Sequence, residues 1–242
     1  MEEKICRFYC YRKTRKKNPP RHAKMNKLEL VIFDMDGVLT DIISSWKYIH
    51  DYFNTSNERS VNEYLQGKID DMEFIRRDAI LWKENGKPTT IKKIEEILTE
   101  VQLMKGAKES IATLKRNEIK TAIVSAGLDI LSEKVAKKLK IDFVYSNGVK
   151  TDNHGQLNGE GIVGVRLMYK DLIVKKIADK LNITLDRIAA VGNSCYDIPM
   201  FEITGLSIAF NPEDDCTREA ADVIVEGKDL TRILPVLKRY LN

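Results

Sequence analysis

The sequence predicts an α/β protein in which a doubly wound, mostly parallel, Rossmann-like sheet carries a small helical insertion after its first strand. From residue 28 onward, short apolar runs rich in β-branched residues alternate with amphipathic helical patterns, which is typical of this architecture. Residues 42–102 interrupt the alternation with helical patterns alone. A chain of 242 residues with 43% apolar positions is long enough for one main domain and an insertion of that size.

Six apolar runs predict the strands of the sheet. The first, 28–33, has the length and composition of a parallel strand that is buried on both faces. The later runs lie at 121–124, 143–145, 188–191, 207–210 and 223–225. Apolar residues at four-residue spacing predict helices between them, with Leu131, Val135 and Leu139 on one and Ile173, Ile177 and Leu181 on another. A further interruption at 147–165 predicts a β-hairpin, because turn residues separate two short extended pieces.

The interruption at 42–102 predicts a helical cap. Its helical patterns cover 43–53, 61–65, 72–83 and 91–101, and none of its runs is typical of a strand. Ligands of open α/β sheets bind at the carboxyl ends of the strands, so an insertion that leaves the core after the first strand is expected to cover the site. The predicted domains are therefore a basic tail at 1–27, a core at 28–41 and 103–242, and a cap at 42–102.

The net charge of +4 is distributed unevenly along the chain. Residues 1–27 hold ten Lys or Arg and two Asp or Glu, whereas residues 28–242 hold 30 basic and 34 acidic residues. A segment as basic as 1–27 cannot bury apolar surface, so we expect a disordered tail, or a stretch that precedes the true start at Met25. Contact with nucleic acid or an anionic membrane is the alternative, which we do not favour because no nucleic-acid-binding fold accompanies the basic run.

Composition also argues against several classes of protein. No run approaches the roughly 20 apolar residues of a membrane helix, and the N-terminus lacks the apolar core of a signal peptide, so we expect a cytoplasmic protein without a membrane partner. The four cysteines, Cys6, Cys10, Cys195 and Cys216, form no CxxC pairs, which argues against a disulfide framework and a structural zinc site. The oligomeric state, including a homodimer, is left open.

Two carboxylates follow the first predicted strand. Asp34 and Asp36 stand two residues apart on the loop that leaves it, where both can face one ligand. The alternative is that they open a turn or cap the next helix, as Asp often does. Taken alone, the pair does not decide between these interpretations.

Two further positions lie where anions are commonly bound. Ser125 ends the strand at 121–124, just before a helix, so its hydroxyl and the nearby backbone N–H groups can hold an anion. Lys170 lies near the start of a predicted helix, where the helix dipole disfavours a cation unless an anion compensates it. The alternatives are an ordinary helix N-cap for Ser125 and a solvated surface lysine for Lys170.

A fourth strand end carries Asn193 and Asp197. These side chains supply an amide oxygen and a carboxylate in one short loop, and hard oxygen donors of this kind suit Mg²⁺. The alternative is that both residues only form the turn.

The ordered set resembles the four motifs of the haloacid dehalogenase superfamily. It consists of Asp34-x-Asp36, Ser125, Lys170 and Asn193-x-x-x-Asp197, each at a predicted strand end or helix start, and it extends from residue 28 to the C-terminus. The cap after the first motif, the spacing from Lys170 to Asn193 and the closing Pro199-Met200-Phe201 resemble the phosphoserine phosphatase branch.

The resemblance implies a Mg²⁺-dependent phosphatase that hydrolyses a small phosphorylated metabolite. By position, Asp34 would attack phosphorus and form an aspartyl phosphate, and Asp36 would act as acid and then as base. To act as an acid, Asp36 must hold a proton near neutral pH, so we predict that its pKa is raised. Ser125 and Lys170 would bind the phosphate. Mg²⁺ would bind Asp34, the Asp36 carbonyl and Asn193, with Asp197 bound directly or through water.

Three positions depart from the family pattern. Asn193 stands where Asp is commonest, which removes one negative charge from the metal site. The family's Glu, which holds the ammonium of phosphoserine, corresponds to Ile43. Its Arg, which holds the carboxylate, corresponds to Asp78 in an ungapped alignment, although Arg76 and Arg77 are close. Specificity for phosphoserine is therefore not expected, and Trp46, His50 and Trp82 become candidates to line the replacement pocket, unless they form the core of the cap.

Rival functions lead to different expectations. A dehalogenase would need no acid at position 36, and a receiver domain would be about half as long and lack a cap. The rival from another class is a catalytically impaired member that binds a phosphorylated ligand, as Asn193 and the basic tail suggest. It predicts binding without turnover.

Overall fold

A computed structural model describes Met25 and residues 27–241. Most of the predicted basic tail, with Cys6 and Cys10, lies outside these residues. Met25 falls within the range predicted to be disordered, yet its side chain is buried in the core.

Nine strands form two sheets. They are β1 Leu30–Phe33, β2 Lys83–Glu84, β3 Lys87–Pro88, β4 Lys120–Leu128, β5 Phe143–Thr151, β6 Leu157–Ile162, β7 Ile188–Gly192, β8 Leu206–Phe210 and β9 Val223–Val225, within the described residues. Seven of them form the main sheet in the order β6-β5-β4-β1-β7-β8-β9. All neighbours in it pair in parallel except β5 and β6. The predicted doubly wound, mostly parallel sheet is confirmed.

Ten α-helices accompany the strands in the described part of the chain. They are α1 Ser45–Tyr52, α2 Glu58–Leu65, α3 Asp71–Leu81, α4 Ile91–Leu98, α5 Ala107–Arg116, α6 Asp129–Leu139, α7 Lys170–Leu181, α8 Ile198–Phe201, α9 Asp215–Ala220 and α10 Leu234–Leu237. Short 3₁₀ turns lie at Leu185–Arg187, Cys195–Asp197, Leu230–Ile233 and Lys238–Tyr240.

The sheet separates two apolar layers. Side chains alternate along a strand, so Val31 and Phe33 belong to one layer while Leu30 and Ile32 belong to the other. All four are fully buried, as expected for a central parallel strand with helices on both faces. Because β1 lies between β4 and β7, the residues that follow these three strands meet at one edge of the sheet.

The segment that follows β1 contains α1 to α4, and it also contains a small hairpin that the sequence prediction lacks. Strands β2 and β3 pair antiparallel around Asn85 and Gly86, both of which have positive φ. An Asn-Gly pair favours this kind of turn, but two-residue strands are too short to show a hydrophobic alternation. The helix predicted to reach residue 83 ends at Leu81, because Trp82 leaves the helical conformation to enter the hairpin.

The hairpin at 147–165 is present as β5 and β6. Asp152 begins its turn, accepting a hydrogen bond from the Gly155 N–H at 3.1 Å. Strand β5 is longer than the predicted run at 143–145, because it pairs first with β4 and then continues into the hairpin. In the part of the chain that the structure describes, the helices are all too short or too polar to span a membrane.

Candidate active site

The loop after β1 carries Asp34 and Asp36 into a buried position. Each is less than a tenth exposed, and the Met35 carbonyl accepts the N–H groups of Leu39 and Thr40, which turns the chain back on itself. Gly37 has φ +77°, and a Cβ there would lie 2.2 Å from Asn193 Nδ2. Only glycine therefore permits both the turn and the approach of the β7 loop.

Lys170 connects two of the predicted acidic residues. Its Nζ lies 3.0 Å from Asp34 Oδ1 and 2.6 Å from Asp197 Oδ1, and the residue is 2% exposed. Burial by itself would lower the Lys170 pKa, but the charges of Asp197 and Asp34 outweigh it and hold the pKa above its ordinary value. A solvated surface lysine is therefore excluded.

The loop after β7 is organised around Asp197. Asp197 Oδ2 accepts the backbone N–H groups of Asn193 and Ser194 at 2.9 and 3.0 Å, while Oδ1 accepts from Lys170. Burial and the charge of Asp34 raise the pKa of Asp197 above its ordinary value, while Lys170 and the backbone donor Ser194 oppose this rise. Asp197 thus does form the turn, as the alternative held, and it also faces Lys170 with its other oxygen.

The amide of Asn193 is held by a residue that the sequence prediction missed. Asn193 Nδ2 donates to Glu213 Oε1 at 2.9 Å, whereas the buried Oδ1 has no hydrogen-bond partner among the described residues. Glu213 lies beyond the end of β8, the strand next to β7, and lines the same cavity as Asp34 and Asp36. The available signal was an acidic residue just after a neighbouring parallel strand.

Glu213 lies in a strongly negative environment. Burial, together with the charges of Asp197, Asp34, Asp214 and Asp36, raises the pKa of Glu213 to about 7. Such a concentration of carboxylates favours a bound cation.

Asp36 is held by the first turn of α1. Ser45 donates its backbone N–H and its hydroxyl to Asp36 Oδ2 at 2.7 and 2.8 Å, and Ser45 Oγ accepts the Leu128 N–H at 2.9 Å. Burial raises the pKa of Asp36 to about 6; the charge of Asp34 adds to this rise, while the Ser45 hydrogen bonds oppose it. The direction agrees with the predicted one. The N-cap residue of α1 is Ser44, so neither Asp34 nor Asp36 occupies that position, although Asp36 accepts the N–H of the first residue of the helix.

Ser125 is buried near the end of β4. Its Oγ accepts the Gly127 N–H at 3.2 Å. Strand β4 continues to Leu128, which is the N-cap residue of α6, so Ser125 is not a helix N-cap. A Cβ on Gly127 would lie 2.8 Å from Asp36 Oδ2, and this shows how closely the loops after β1 and β4 approach each other.

A cavity of about 580 Å³ lies between this edge of the sheet and helices α1 to α3. From the core it is lined by Asp34, Asp36, Ser125, Lys170 and Glu213, among other residues. Asn193 and Asp197 lie behind this surface. The structure therefore brings all six predicted residues together in and just beneath one wall of the cavity.

Two of the three aromatic candidates in the cap line the cavity. Trp46 and His50 face it, and Trp46 Nε1 donates to the Ala126 carbonyl at 2.9 Å. Trp82 is fully buried, stacks on Trp46 at a centroid distance of 5.4 Å and is absent from the lining. It therefore belongs to the core of the cap, as the alternative interpretation held.

The oxygen donors are suited to Mg²⁺. The described residues contain no group of three or more His, Cys, Asp and Glu side chains arranged to hold a metal, so a site here must also use an amide or backbone oxygen. Asn193 Oδ1 meets this need, because it is buried, unpartnered and directed by the Glu213 hydrogen bond. Carboxylate and amide oxygens are the ligands that Mg²⁺ prefers.

Sequence comparison identifies similar proteins over most of the chain. Residues 28–205 match the family model described as haloacid dehalogenase-like hydrolase. A phosphoserine phosphatase of Methanocaldococcus jannaschii is 31% identical over 215 residues, which cover 88% of this chain and 99% of that protein. One from Wolinella succinogenes is 30% identical over 211 residues, covering 86% of this chain and 98% of the relative.

Solved structures show the same similarity. A structure described as a phospho-aspartyl intermediate analogue of phosphoserine phosphatase superposes with a TM-score of 0.74 at 30% identity, covering 87% of this chain and 99% of the other. A substrate-bound phosphoserine phosphatase complex gives the same TM-score and identity, with 87% and 98% covered.

Proposed function

Because the chain belongs to the haloacid dehalogenase-like hydrolase family, we propose that it is a Mg²⁺-dependent phosphomonoesterase in which Asp34 carries the phosphoryl group during turnover. The observation that carries this proposal is the pairing of Asp34 with the buried Lys170 in a cavity that Asp36 also lines. A nucleophile, an acid and a fixed positive charge are thereby available to one substrate.

In the first half-reaction, a carboxylate oxygen of Asp34 attacks phosphorus. The bond from phosphorus to the leaving oxygen breaks, and Asp36 donates its proton to that oxygen. The raised pKa of Asp36 supports this role, because an ordinary aspartate would hold almost no proton near neutral pH.

In the second half-reaction, the ionised Asp36 accepts a proton from water. The water oxygen then attacks phosphorus, the bond to Asp34 breaks, and inorganic phosphate is released. Asp36 is left protonated for the next cycle, so one residue serves as acid and as base.

The remaining residues stabilise charge. Lys170 holds Asp34 in place and would attract phosphoryl oxygens, and the Ser125 hydroxyl and the N–H groups of its loop would donate to them. Asp34, the Asp36 carbonyl and Asn193 would hold Mg²⁺. Both oxygens of Asp197 already accept hydrogen bonds, so Asp197 would contribute through water or through its charge. The ion would reduce the repulsion between an anionic nucleophile and an anionic substrate.

The substrate is a small phosphorylated metabolite, as the volume of the cavity suggests. The relatives are named as phosphoserine phosphatases, and in the family pattern a Glu and an Arg hold the ammonium and the carboxylate of phosphoserine. Here Ile43 and Asp78 line the cavity at the corresponding positions, so Ile43 cannot bind the ammonium and Asp78 cannot bind the carboxylate.

Release of phosphate from an aryl phosphate, measured with and without Mg²⁺, tests the proposed function. We expect turnover by the wild type with Mg²⁺ and none by Asp34→Asn. Binding of phosphate without turnover in the wild type, with Mg²⁺ in excess, would instead support the catalytically impaired binding protein that Asn193 suggested.

A further inference from the structure

The cap contributes an acidic wall to the cavity. Its charged residues in the lining comprise four acids and one base, namely Asp51, Glu58, Asp71, Asp78 and Lys47. This is the wall opposite the proposed phosphate site, so it faces the leaving group of a bound phosphomonoester.

No basic side chain of the cap is left over for a substrate carboxylate in the described lining. Lys47 already pairs with Asp51 at 2.6 Å, and both side chains are more than half exposed. Arg76 and Arg77 stay outside the lining, where Arg76 pairs with Glu160 at 2.7 Å and Arg77 with Glu73 at 2.8 Å.

Both carboxylate oxygens of Asp71 already have partners within the protein. Its Oδ1 accepts the Leu167 N–H at 2.8 Å and the Tyr64 hydroxyl at 3.0 Å, and its Oδ2 pairs with Arg166 at 3.3 Å. These contacts join the cap to the loop before α7, which explains Asp71 structurally.

Asp78 differs from the other acids because it is deeply buried and incompletely satisfied. The residue is 3% exposed, and its Oδ2 accepts from Asn57 Nδ2 at 2.9 Å. Its Oδ1 has no hydrogen-bond partner among the described residues. A buried carboxylate in this condition lacks donors that water would supply.

His50 contacts one of the two carboxylate oxygens of Asp78. His50 Nδ1 lies 3.2 Å from Trp82 Nε1 and 2.8 Å from Thr55 Oγ1. Because the indole N–H can only donate, Nδ1 is taken as the acceptor of both contacts, which places the proton of a neutral ring on Nε2. Nε2 lies 3.4 Å from Asp78 Oδ2, so the imidazole lies next to the same oxygen that accepts from Asn57. The other oxygen keeps its capacity to accept.

We propose that the leaving group of the substrate carries an ammonium or hydroxyl donor and no carboxylate, and that Asp78 is the specificity-determining residue that accepts from this donor. The proposal rests on the phosphatase function proposed above. A donor would satisfy a buried carboxylate, whereas a substrate carboxylate would meet an acidic wall without a free basic partner.

Phosphoethanolamine and O-phosphoserine form a matched pair of substrates, because they differ by one carboxylate. Glycerol phosphate represents a leaving group with hydroxyl donors, and an aryl phosphate serves as a reference without either group. We expect kcat/KM for phosphoethanolamine or glycerol phosphate to exceed that for phosphoserine by about tenfold or more, and the preferred one identifies the donor. Equal or faster hydrolysis of phosphoserine would overturn the proposal.

The variant Asp78→Asn tests the residue itself, with Glu58→Gln as the matched loss of an acid from the same wall. Glu58 is exposed, so its charge is screened by water. We expect Asp78→Asn to lower the kcat/KM of the preferred substrate about tenfold relative to the aryl phosphate, and Glu58→Gln to leave this ratio within about twofold. An unchanged ratio in Asp78→Asn would overturn the assignment.

Two failures are distinguishable. If the wild type does not hydrolyse the aryl phosphate, the proposed function fails and the inference fails with it. If the aryl phosphate is hydrolysed and phosphoserine is preferred, only the inference about the leaving group fails. The substrate preference of the wild type decides this even if Asp78→Asn does not fold.

Discussion

The side chain of Asn193 donates from Nδ2 to Glu213 Oε1 at 2.9 Å, so that its buried Oδ1 is left without a partner. The amide thereby gains a defined orientation, and a carboxylate comes to lie next to it. In the proposed Mg²⁺ site, the carboxylate of Glu213 would supply, one contact further out, the negative charge that Asn193 lacks. Residues in this position orient metal ligands and tune the affinity of the site.

We therefore expect substitutions of Glu213 to weaken Mg²⁺ binding. Glu213→Ala removes both the charge and the acceptor and should raise the Mg²⁺ dissociation constant about tenfold or more, whereas Glu213→Gln keeps an acceptor and should have a smaller effect. Titration calorimetry measures this without turnover. An unchanged dissociation constant in Glu213→Ala would contradict the role.

Lys170 is expected to be essential for stability as well as activity. Lys170→Met leaves Asp34 and Asp197 buried beside each other without their cation, which should cost about 3–5 kcal/mol in the free energy of unfolding. Lys228→Met removes an ion pair with Asp41 in which both side chains are exposed, and should cost less than about 1 kcal/mol. Urea denaturation with a chelator present compares the two, and similar losses would contradict the account.

The raised pKa of Asp36 predicts a pH-dependent stability in the absence of Mg²⁺. Between the unfolded value of 3.8 and the folded value of about 6, the folded state binds more protons, so the free energy of unfolding should fall as pH rises through this window. The contribution of Asp36 is about 2–3 kcal/mol, fully present below pH 4 and lost above pH 6.

Asp36→Asn removes this titration. Denaturation of the variant across pH 4–7 should show a shallower decline, while Asp41→Asn, an exposed neighbour paired with Lys228, should behave as the wild type. An identical slope in Asp36→Asn and the wild type would refute the assigned pKa.

The hydroxyl of Ser45 is expected to lower the pKa of Asp36. Ser45→Ala removes the hydroxyl that donates to Asp36 at 2.8 Å, and this hydrogen bond lowers the Asp36 pKa. The pKa should rise by up to about one unit, moving the corresponding limb of the kcat/KM profile toward alkaline pH. Ser44→Ala, which loses the N-cap of α1, should cost about 1 kcal/mol of stability without moving that limb.

The core of the fold was predictable because its signals are local. The apolar runs of β1, β4, β7 and β8 are continuous, since helices cover both faces of the sheet, and the amphipathic spacing in α6 and α7 is regular. Hairpin β2–β3 escaped prediction because each strand has only two residues, all of them exposed, so its sole signal is the Asn85-Gly86 turn.

The candidate site was predictable where it depends on strand ends. Parallel strands bring the residues at the carboxyl ends of β1, β4 and β7 to one edge of the sheet, which accounts for Asp34, Ser125 and Asn193. Glu213 could be suspected from its position after β8, but its hydrogen bond to Asn193 could not be predicted, nor could the state of Asp78, because each depends on a contact between distant segments: Asn193 with Glu213, and Asn57 with Asp78. Contacts between distant segments leave no periodic pattern in the sequence.

Trapping the phosphoryl group on the enzyme tests the covalent role of Asp34. Rapid acid quenching during turnover of an aryl phosphate, followed by digestion and mass spectrometry, should find one phosphoryl group on the peptide that contains Asp34 and none in Asp34→Asn. Turnover by the wild type with the phosphoryl group on another residue, or continued turnover by Asp34→Asn, would contradict the account.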